Sequence, residues 1–169
     1  MKKILGILLV VLSVTSVFAQ KEYKFGHINS NELMSVMPER EGISLEFQKY
    51  QQMLSEEYQA MMTEFQTQAA VFNEKKATYS DTYIKTKEEE LLGMQQRIQG
   101  FQQTAQQDLQ QKEAELFQPM MDKAQAAIEV VSKANGFTYI FDLGAGGVIY
   151  FSDDSIDILP LVKKELGIE

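Results

Sequence analysis

Residues 43–72, ISLEFQKYQQMLSEEYQAMMTEFQTQAAVF, decide the fold of this chain because their apolar side chains recur at steps of three and four. The positions are Ile43, Phe47, Tyr50, Leu54, Tyr58, Met61, Phe65, Ala69 and Phe72. This spacing is typical of one face of an α-helix. Because the frame also repeats every eleven residues, it favours a straight or slightly right-handed helix over a long left-handed coiled coil.

A second helical face follows in the same stretch of chain. Its apolar positions are Leu91, Met94, Ile98, Phe101, Ala105, Leu109, Leu116, Met120, Ala124, Ile128 and Val131. No proline interrupts residues 39–118, and the apolar pattern breaks only within about 77–86, where Ser80, Asp81 or Thr86 could cap a new helix. The sequence therefore predicts an antiparallel helical hairpin over 39–134, with arms of roughly 60 to 70 Å that project from a small base.

Residues 1–19 have the pattern of a cleaved export signal. A basic start is followed by an apolar core, and small residues at positions 17 and 19 suit a signal peptidase. A membrane anchor is the weaker interpretation because the apolar run is shorter than the ~20 residues of a span. The chain has no cysteine, so it has neither a lipid-attachment site nor disulfides.

The predicted mature chain, residues 20–169, is acidic. It carries 14 basic and 24 acidic side chains, a net charge of −10. Nucleic acid is excluded as a partner because its binding depends on neutralised phosphates.

The remaining residues predict a small base. Residues 24–29 predict a strand, with Ser30 as the N-cap of a short helix, so that 20–38 form one part of the base. Residues 137–142 and 148–152 predict a β-hairpin joined by the glycine-rich loop 143–147, and 153–167 predict a closing helix, so that 135–169 form the other part. The fold class is α+β, mainly α.

No residues suggest catalysis, a cofactor or a metal. The glycine loop precedes a predicted strand instead of the helix that a phosphate site needs. His27, the single histidine, has no suitably spaced partners, and Glu88, Glu89 and Glu90 point in different directions around a helix. The sequence therefore predicts a protein that is not an enzyme.

Two sets of arm residues are candidates for contact with other molecules. Flexible and aromatic side chains could bind many apolar clients, although filling the seam between the arms is the simpler role: Tyr50, Tyr58, Met61, Met62 and Met94. Four lysines near the tip are candidate contacts for acidic clients or for membrane lipid, although a solvated tip is the simpler interpretation: Lys75, Lys76, Lys85 and Lys87.

Four segments, taken in order, carry a resemblance to a known family. They are FGHINS at 25–30, LFQP at 116–119 with its continuation to 128, ANGFTYIFD at 134–142, and VIYF at 148–151 followed by Asp157 and Ile158. Their order and spacing resemble the Skp/OmpH family of periplasmic chaperones over essentially the whole predicted mature chain. The chain departs from the family in its acidic arms, since 39–133 hold 16 acidic and 10 basic residues whereas family arms are often basic.

The resemblance implies a homotrimer in the periplasm of a Gram-negative bacterium. Short strands would build a shared β-body, and three hairpins would extend as tentacles that hold unfolded outer-membrane proteins without ATP. The body residues implied are Phe25, Ile28, Tyr139, Ile140, Phe141, Ile149 and Phe151. Physical reasoning also favours self-association, because so small a base buries too little surface alone. The alternative is a structural coiled-coil adaptor of a cell-envelope complex.

Overall fold

The structure, a computed structural model, describes residues 23–168. Its elements are β1 (Phe25–Ile28), α1 (Ser30–Val36), α2 (Glu39–Lys75), a short 3-10 helix (Lys76–Thr78), α3 (Asp81–Ala134), β2 (Tyr139–Asp142), β3 (Ile156–Asp157) and α4 (Leu159–Glu165). The chain divides into a helical unit, residues 31–126, and a sheet unit, residues 23–30 with 127–167. The predicted fold class is confirmed. The predicted export signal lies outside the described residues.

Ion pairs between the two arms of the helical unit define an antiparallel hairpin. The pairs are Glu39 with Lys123, Glu46 with Lys112 at 3.3 Å, and Lys76 with Glu88 at 2.7 Å. Each step forward along the first arm is matched by a step backward along the second, as antiparallel helices require. All twenty apolar positions predicted for the two arms are buried or half-buried. The sequence periodicity therefore identified the seam correctly.

The turn between α2 and α3 covers residues 76–80, at the start of the interval predicted for the tip. Of the three predicted caps, Ser80 fills the role, because its Oγ accepts a hydrogen bond from the Tyr83 N–H at 3.4 Å. The rings of Tyr79 and Tyr83 meet edge to face, with centroids 4.6 Å apart. These contacts bring two aromatic side chains together at the tip.

The sheet has the order β2-β1-β3, and both outer strands run parallel to β1. The predicted β-hairpin is therefore wrong: residues 148–152 form no strand, and the third strand lies further along, at 156–157. The physical reason is that β1 takes the central place and supplies the partner for both neighbours. Parallel strands cannot be joined by a tight turn, so residues 143–155 cross from one edge of the sheet to the other.

Gly26 lets the central strand pack closely against its neighbours. A Cβ at this position would lie 2.8 Å from a ring carbon of Phe137 and 3.0 Å from Cδ1 of Ile140. Both distances are shorter than ordinary van der Waals contact. A side chain at residue 26 is therefore incompatible with the present packing of the sheet.

The C-terminus of α3 has a glycine cap. Gly136 adopts φ 69°, the Phe137 N–H donates to the Ser132 carbonyl, and the Gly136 N–H donates to the Lys133 carbonyl. This pair of hydrogen bonds is the Schellman motif. It confirms the helix end expected from residues 135–136 and turns the chain into β2.

Asp142, at the end of β2, joins three parts of the sheet unit. Its carboxylate accepts hydrogen bonds from the Ser30 N–H at 3.0 Å, from the Ser30 Oγ at 2.7 Å and from the Gly144 N–H at 2.8 Å. Ser30, predicted as the N-cap, is instead the first residue of α1, and its hydroxyl donates to this carboxylate. Burial pushes the pKa of Asp142 up, but the hydrogen bonds from Ser30 and Gly144 outweigh it and lower the pKa.

The closing helix α4 is shorter than predicted. Ile156, which lies within the range 153–167 predicted for this helix, instead pairs with Gly26 in the sheet. The helix begins at Leu159, whose N–H donates to the Asp157 carboxylate at 2.9 Å. Asp157 thus makes an Asx turn just before the helix, and Leu159 is buried.

Candidate functional site

One face of the sheet carries a stack of exposed aromatic rings. Because side chains alternate along a strand, Phe25 on β1 and Tyr139 and Phe141 on β2 share a face. The Phe25 centroid lies 6.1 Å from that of Tyr139 and 6.2 Å from that of Phe141. The three side chains are 48%, 61% and 47% exposed. Within the sheet unit, these three rings of the aromatic face therefore stay about half-exposed.

His27 lies on the same face of β1 but is buried, with 8% of its surface exposed. Its Nδ1 is 2.8 Å from the Ser155 Oγ, and its ring centroid is 4.5 Å from that of Phe151. Within the described part of the chain, no three His, Cys, Asp or Glu side chains come together as metal ligands would. His27 therefore links residues 143–155, the crossing segment, to the sheet, which is a structural role.

A groove of about 1,070 Å³ runs beside the aromatic face and is lined largely by the crossing segment. Ile149 is fully exposed there, and Phe151 is half-exposed although it rests on His27. Isolated apolar side chains on a surface are ordinary, whereas a contiguous exposed group of this kind marks an interaction site. The groove and the aromatic face together form the main candidate site, named here the body face.

Most residues predicted for the trimer body lie on or beside the body face. Phe25, Tyr139, Phe141, Ile149 and Phe151 are exposed in the single chain. Two others have a different position: Ile28 is only 2% exposed and Ile140 is half-buried next to Gly26. These two support the sheet from inside and offer little area to a partner.

Sequence reasoning missed two exposed apolar side chains of the body face, Tyr23 and Ile156, whereas the exposed Tyr150 lies in the segment 148–151 that the resemblance includes. Tyr23 could have been found, because it extends the alternation of β1 by one step and its ring stacks on Phe25 at 6.5 Å. Ile156 could not, because its helical spacing with Leu159 and Val162 concealed a strand.

The predicted client contacts of the arms differ in exposure. Tyr50, Tyr58, Met61 and Met62 are half-buried, so part of each side chain faces solvent. Met94 is 6% exposed and fills the seam. We therefore leave Met94 out of the proposed contact surface, since a buried side chain cannot reach a client without opening the hairpin.

The four lysines predicted at the tip fall into two pairs. Lys76 bonds Glu88, and Lys87 bonds Glu90 at 2.5 Å, a hydrogen bond that raises the pKa of Lys87. Lys75 and Lys85 are exposed and make no ion pair within residues 23–168. The tip thus keeps two lysines available for an acidic partner.

Comparison with known proteins relates the chain to one protein family. A family model described as outer membrane protein (OmpH-like) matches residues 24–166. A solved structure from Caulobacter crescentus, assigned as an OmpH-like outer membrane chaperone, aligns with a TM-score of 0.72 at 15% identity and covers 88% of this chain and 86% of its own. Curated protein sequences give no match. Among residues 23–168, no helix is both long enough and apolar enough to cross a membrane.

Proposed function

The chain belongs to the Skp/OmpH (OmpH-like) family, and from this premise we propose that it is an ATP-independent holdase chaperone for unfolded outer-membrane proteins in the periplasm. The family match supports a chaperone role in general. The proposal adds the client class, the compartment and the holding mechanism. Residues 1–19 would direct export and then be cleaved off.

The observation that carries the proposal is the self-contained helical hairpin. Its seam is filled by its own side chains, so the hairpin does not need a fixed partner to bury its apolar stripe. Half-exposed tyrosines and methionines on the arms offer weak, adaptable contacts to an unfolded chain. Many weak contacts shield different apolar segments and still allow release.

The body face supports a homotrimer. Its aromatic side chains are exposed in the single chain, and β2 and β3 are both edge strands with unpaired backbone groups on one side. Self-association would cover the apolar area and protect these edges. Within the proposed trimer, several hairpins would surround one client.

An aggregation assay tests the proposal. A denatured outer-membrane β-barrel protein is diluted from urea, with and without this protein and without nucleotide, while light scattering follows its aggregation. We expect strong suppression, and we expect a variant without residues 50–121 to lose it while keeping a folded sheet unit. A shortened protein that protected the client equally well would favour the structural adaptor instead.

A further inference from the structure

The tip of the hairpin encloses a cavity that the proposed function does not use. Its volume is about 220 Å³, and it lies between the last turns of α2 and the first turns of α3. Its main lining residues are Val71, Phe72, Tyr79, Tyr83, Lys87 and Leu91. The three of these residues that lie on α3, Tyr83, Lys87 and Leu91, stand four apart and so share one face of the helix.

The size of this tip cavity limits what it can hold. Pockets for drug-sized ligands measure about 300–1,000 Å³, whereas a cavity of about 150 Å³ is enough for benzene. The tip cavity falls between these values. It therefore suits one large side chain and is too small for an extended ligand.

The rings around the tip cavity could attract a cation, but the chain already supplies one to each of two rings. The Lys76 ammonium lies 5.2 Å from the Phe72 ring, and the Lys87 ammonium lies 5.7 Å from the Tyr83 ring. Since these lysines already occupy the cation–π positions of the two rings, a basic side chain of a partner would have to displace them. The aromatic walls would instead pack against an apolar ring of a partner, and a carboxylate next to that ring would lie near the lysines.

The surroundings point the same way. Residues 75–87 contain four lysines and one acidic residue, Asp81, and are flanked by Glu74 and by 88–90, which are all glutamates. Because Lys76 and Lys87 are paired with Glu88 and Glu90, Lys75 and Lys85 are the two lysines left for an acidic partner. Lys75 follows Val71 by one helical turn and has no ion pair within the described residues, so it is available beside the cavity. Val71 and Tyr83 are both partly exposed at the rim, which leaves the cavity open to solvent.

We infer that the tip cavity binds one aromatic side chain of an unfolded polypeptide, next to an acidic residue in that polypeptide. The inference rests on the proposed holding of unfolded chains and gives it a preference among client segments. The hairpin would thus have one defined contact at its tip in addition to adaptable contacts along its arms.

The absence of tryptophan from this chain makes a direct test possible. Short unstructured peptides carry one tryptophan flanked by aspartates, by serines or by lysines, and tryptophan fluorescence reports their binding to the full-length mature protein. We expect the aspartate-flanked peptide to bind about tenfold or more tightly than the lysine-flanked peptide, which corresponds to one well-placed charge contact. Equal affinity of the two peptides would overturn the inference.

Two variants locate the binding. Tyr83→Ala removes a wall of the cavity, and Val71→Phe fills it. Each variant should lower the affinity for the aspartate-flanked peptide by about tenfold or more. Leu92→Ala is the matched control, since Leu92 is more exposed than Tyr83 and does not line the cavity, and it should change affinity by less than about twofold. Helical content measured by circular dichroism should be the same in all three. Peptide affinity that stayed unchanged in both cavity variants would place the binding elsewhere.

The same proteins separate this inference from the proposed function. If the wild type suppresses aggregation of a β-barrel client but binds no peptide at the tip, only the tip inference fails. If it binds the peptide at the tip and does not suppress aggregation, the proposed function fails alone. A last experiment uses vesicles that contain phosphatidylglycerol. If the protein binds these vesicles only when Tyr83 is present, and binds none of the peptides, the tip is a membrane contact and the inference is overturned.

Discussion

The helical unit and the sheet unit differ in how far their apolar side chains are covered. In the helical unit, all the seam positions expected within it are covered by the same chain. In the sheet unit, the rings of Phe25, Tyr139 and Phe141 are stacked on one another and remain about half-exposed. The helical unit is therefore complete along its seam, whereas the sheet unit has an apolar face that is still without a cover.

The difference follows from the size of the elements. A helix satisfies its own backbone hydrogen bonds, and two long amphipathic helices need only each other to bury their apolar stripes. The sheet has strands of four, four and two residues, which bury little area and leave two edges. The sheet unit should therefore be sensitive to changes that the helical unit tolerates.

The largest effect is expected for Ile140→Asp. Ile140 is half-buried beside Gly26 in the sheet, and a carboxylate there would lose its hydration without gaining a partner. We expect a loss of about 4 kcal/mol or more in the free energy of unfolding. Phe65→Ala, in the arm, removes one half-buried contact among many and should cost about 2 kcal/mol.

Urea unfolding monitored by circular dichroism measures both values. If the Ile140 variant unfolded at the same urea concentration as the wild type, β2 would not be part of the stable sheet unit. If Phe65→Ala cost as much as Ile140→Asp, the contrast between the two units would be lost.

The next effect concerns association. Phe141→Asp places a charge in the middle of the body face, so we expect the proposed trimer to dissociate at concentrations about 100-fold higher than for the wild type. Leu45→Asp is the matched control, because Leu45 is equally exposed but lies on α2. Light scattering across a dilution series gives the mass of each variant. A wild type that is already monomeric at micromolar concentration would contradict the proposed trimer directly.

Asp142→Ala should have a smaller effect that is confined to the stability of the sheet unit. The substitution removes the carboxylate that accepts hydrogen bonds from three donors. Hydrogen bonds to charged groups are worth about 1.5–3 kcal/mol each. Because the freed donors can partly find water, we expect the free energy of unfolding to fall by about 3 kcal/mol in total. Asp153→Ala, an exposed carboxylate in the crossing segment, should change stability by less than about 0.5 kcal/mol.

The contribution of Asp142 should depend on pH. Its pKa is lowered in the folded protein, so the added stability is fully present above the pKa of an unfolded aspartate, about 4. It is lost as the pH falls from there through the lowered folded value. The stability difference between wild type and Asp142→Ala should therefore be constant at neutral pH and shrink below about pH 4. A difference that stayed the same in acid would show that the charge of Asp142 is not what the donors stabilise.

The helical unit could be predicted almost completely from the sequence, because its information is local. A period of three and four residues from Ile43 to Phe72 identifies the seam whatever the rest of the chain does. The end of α3 at Gly136, which lies in the sheet unit, was equally clear, since a glycine cap needs only its immediate neighbours.

The sheet unit could be predicted only in part, because its strands pair with distant residues. Short apolar runs such as 148–152 have strand-like composition in the absence of any partner, and β1 lies more than 100 positions before β2 and β3 in the sequence. Of the candidate sites, the tip lysines were visible as a cluster. The tip cavity was not, because it depends on how Phe72 and Tyr83, from two different helices, come together.

The smallest effect compares two glycines, one in each unit. Gly26→Ala places a Cβ 2.8 Å from the Phe137 ring and 3.1 Å from the Ile156 carbonyl oxygen, so β1 or its neighbours must shift, at a cost of about 2 kcal/mol. Gly42→Ala, in the first turns of α2, meets nothing within 4 Å and replaces a poor helix former, so it should stabilise the helical unit by about 0.5–1 kcal/mol. Thermal unfolding of the two variants measures the opposite signs directly. Because the same methyl group is added in both cases, a stabilising Gly26→Ala would mean that the central strand has room for a side chain, and the sheet unit would then not be more sensitive to change than the helical unit at this position.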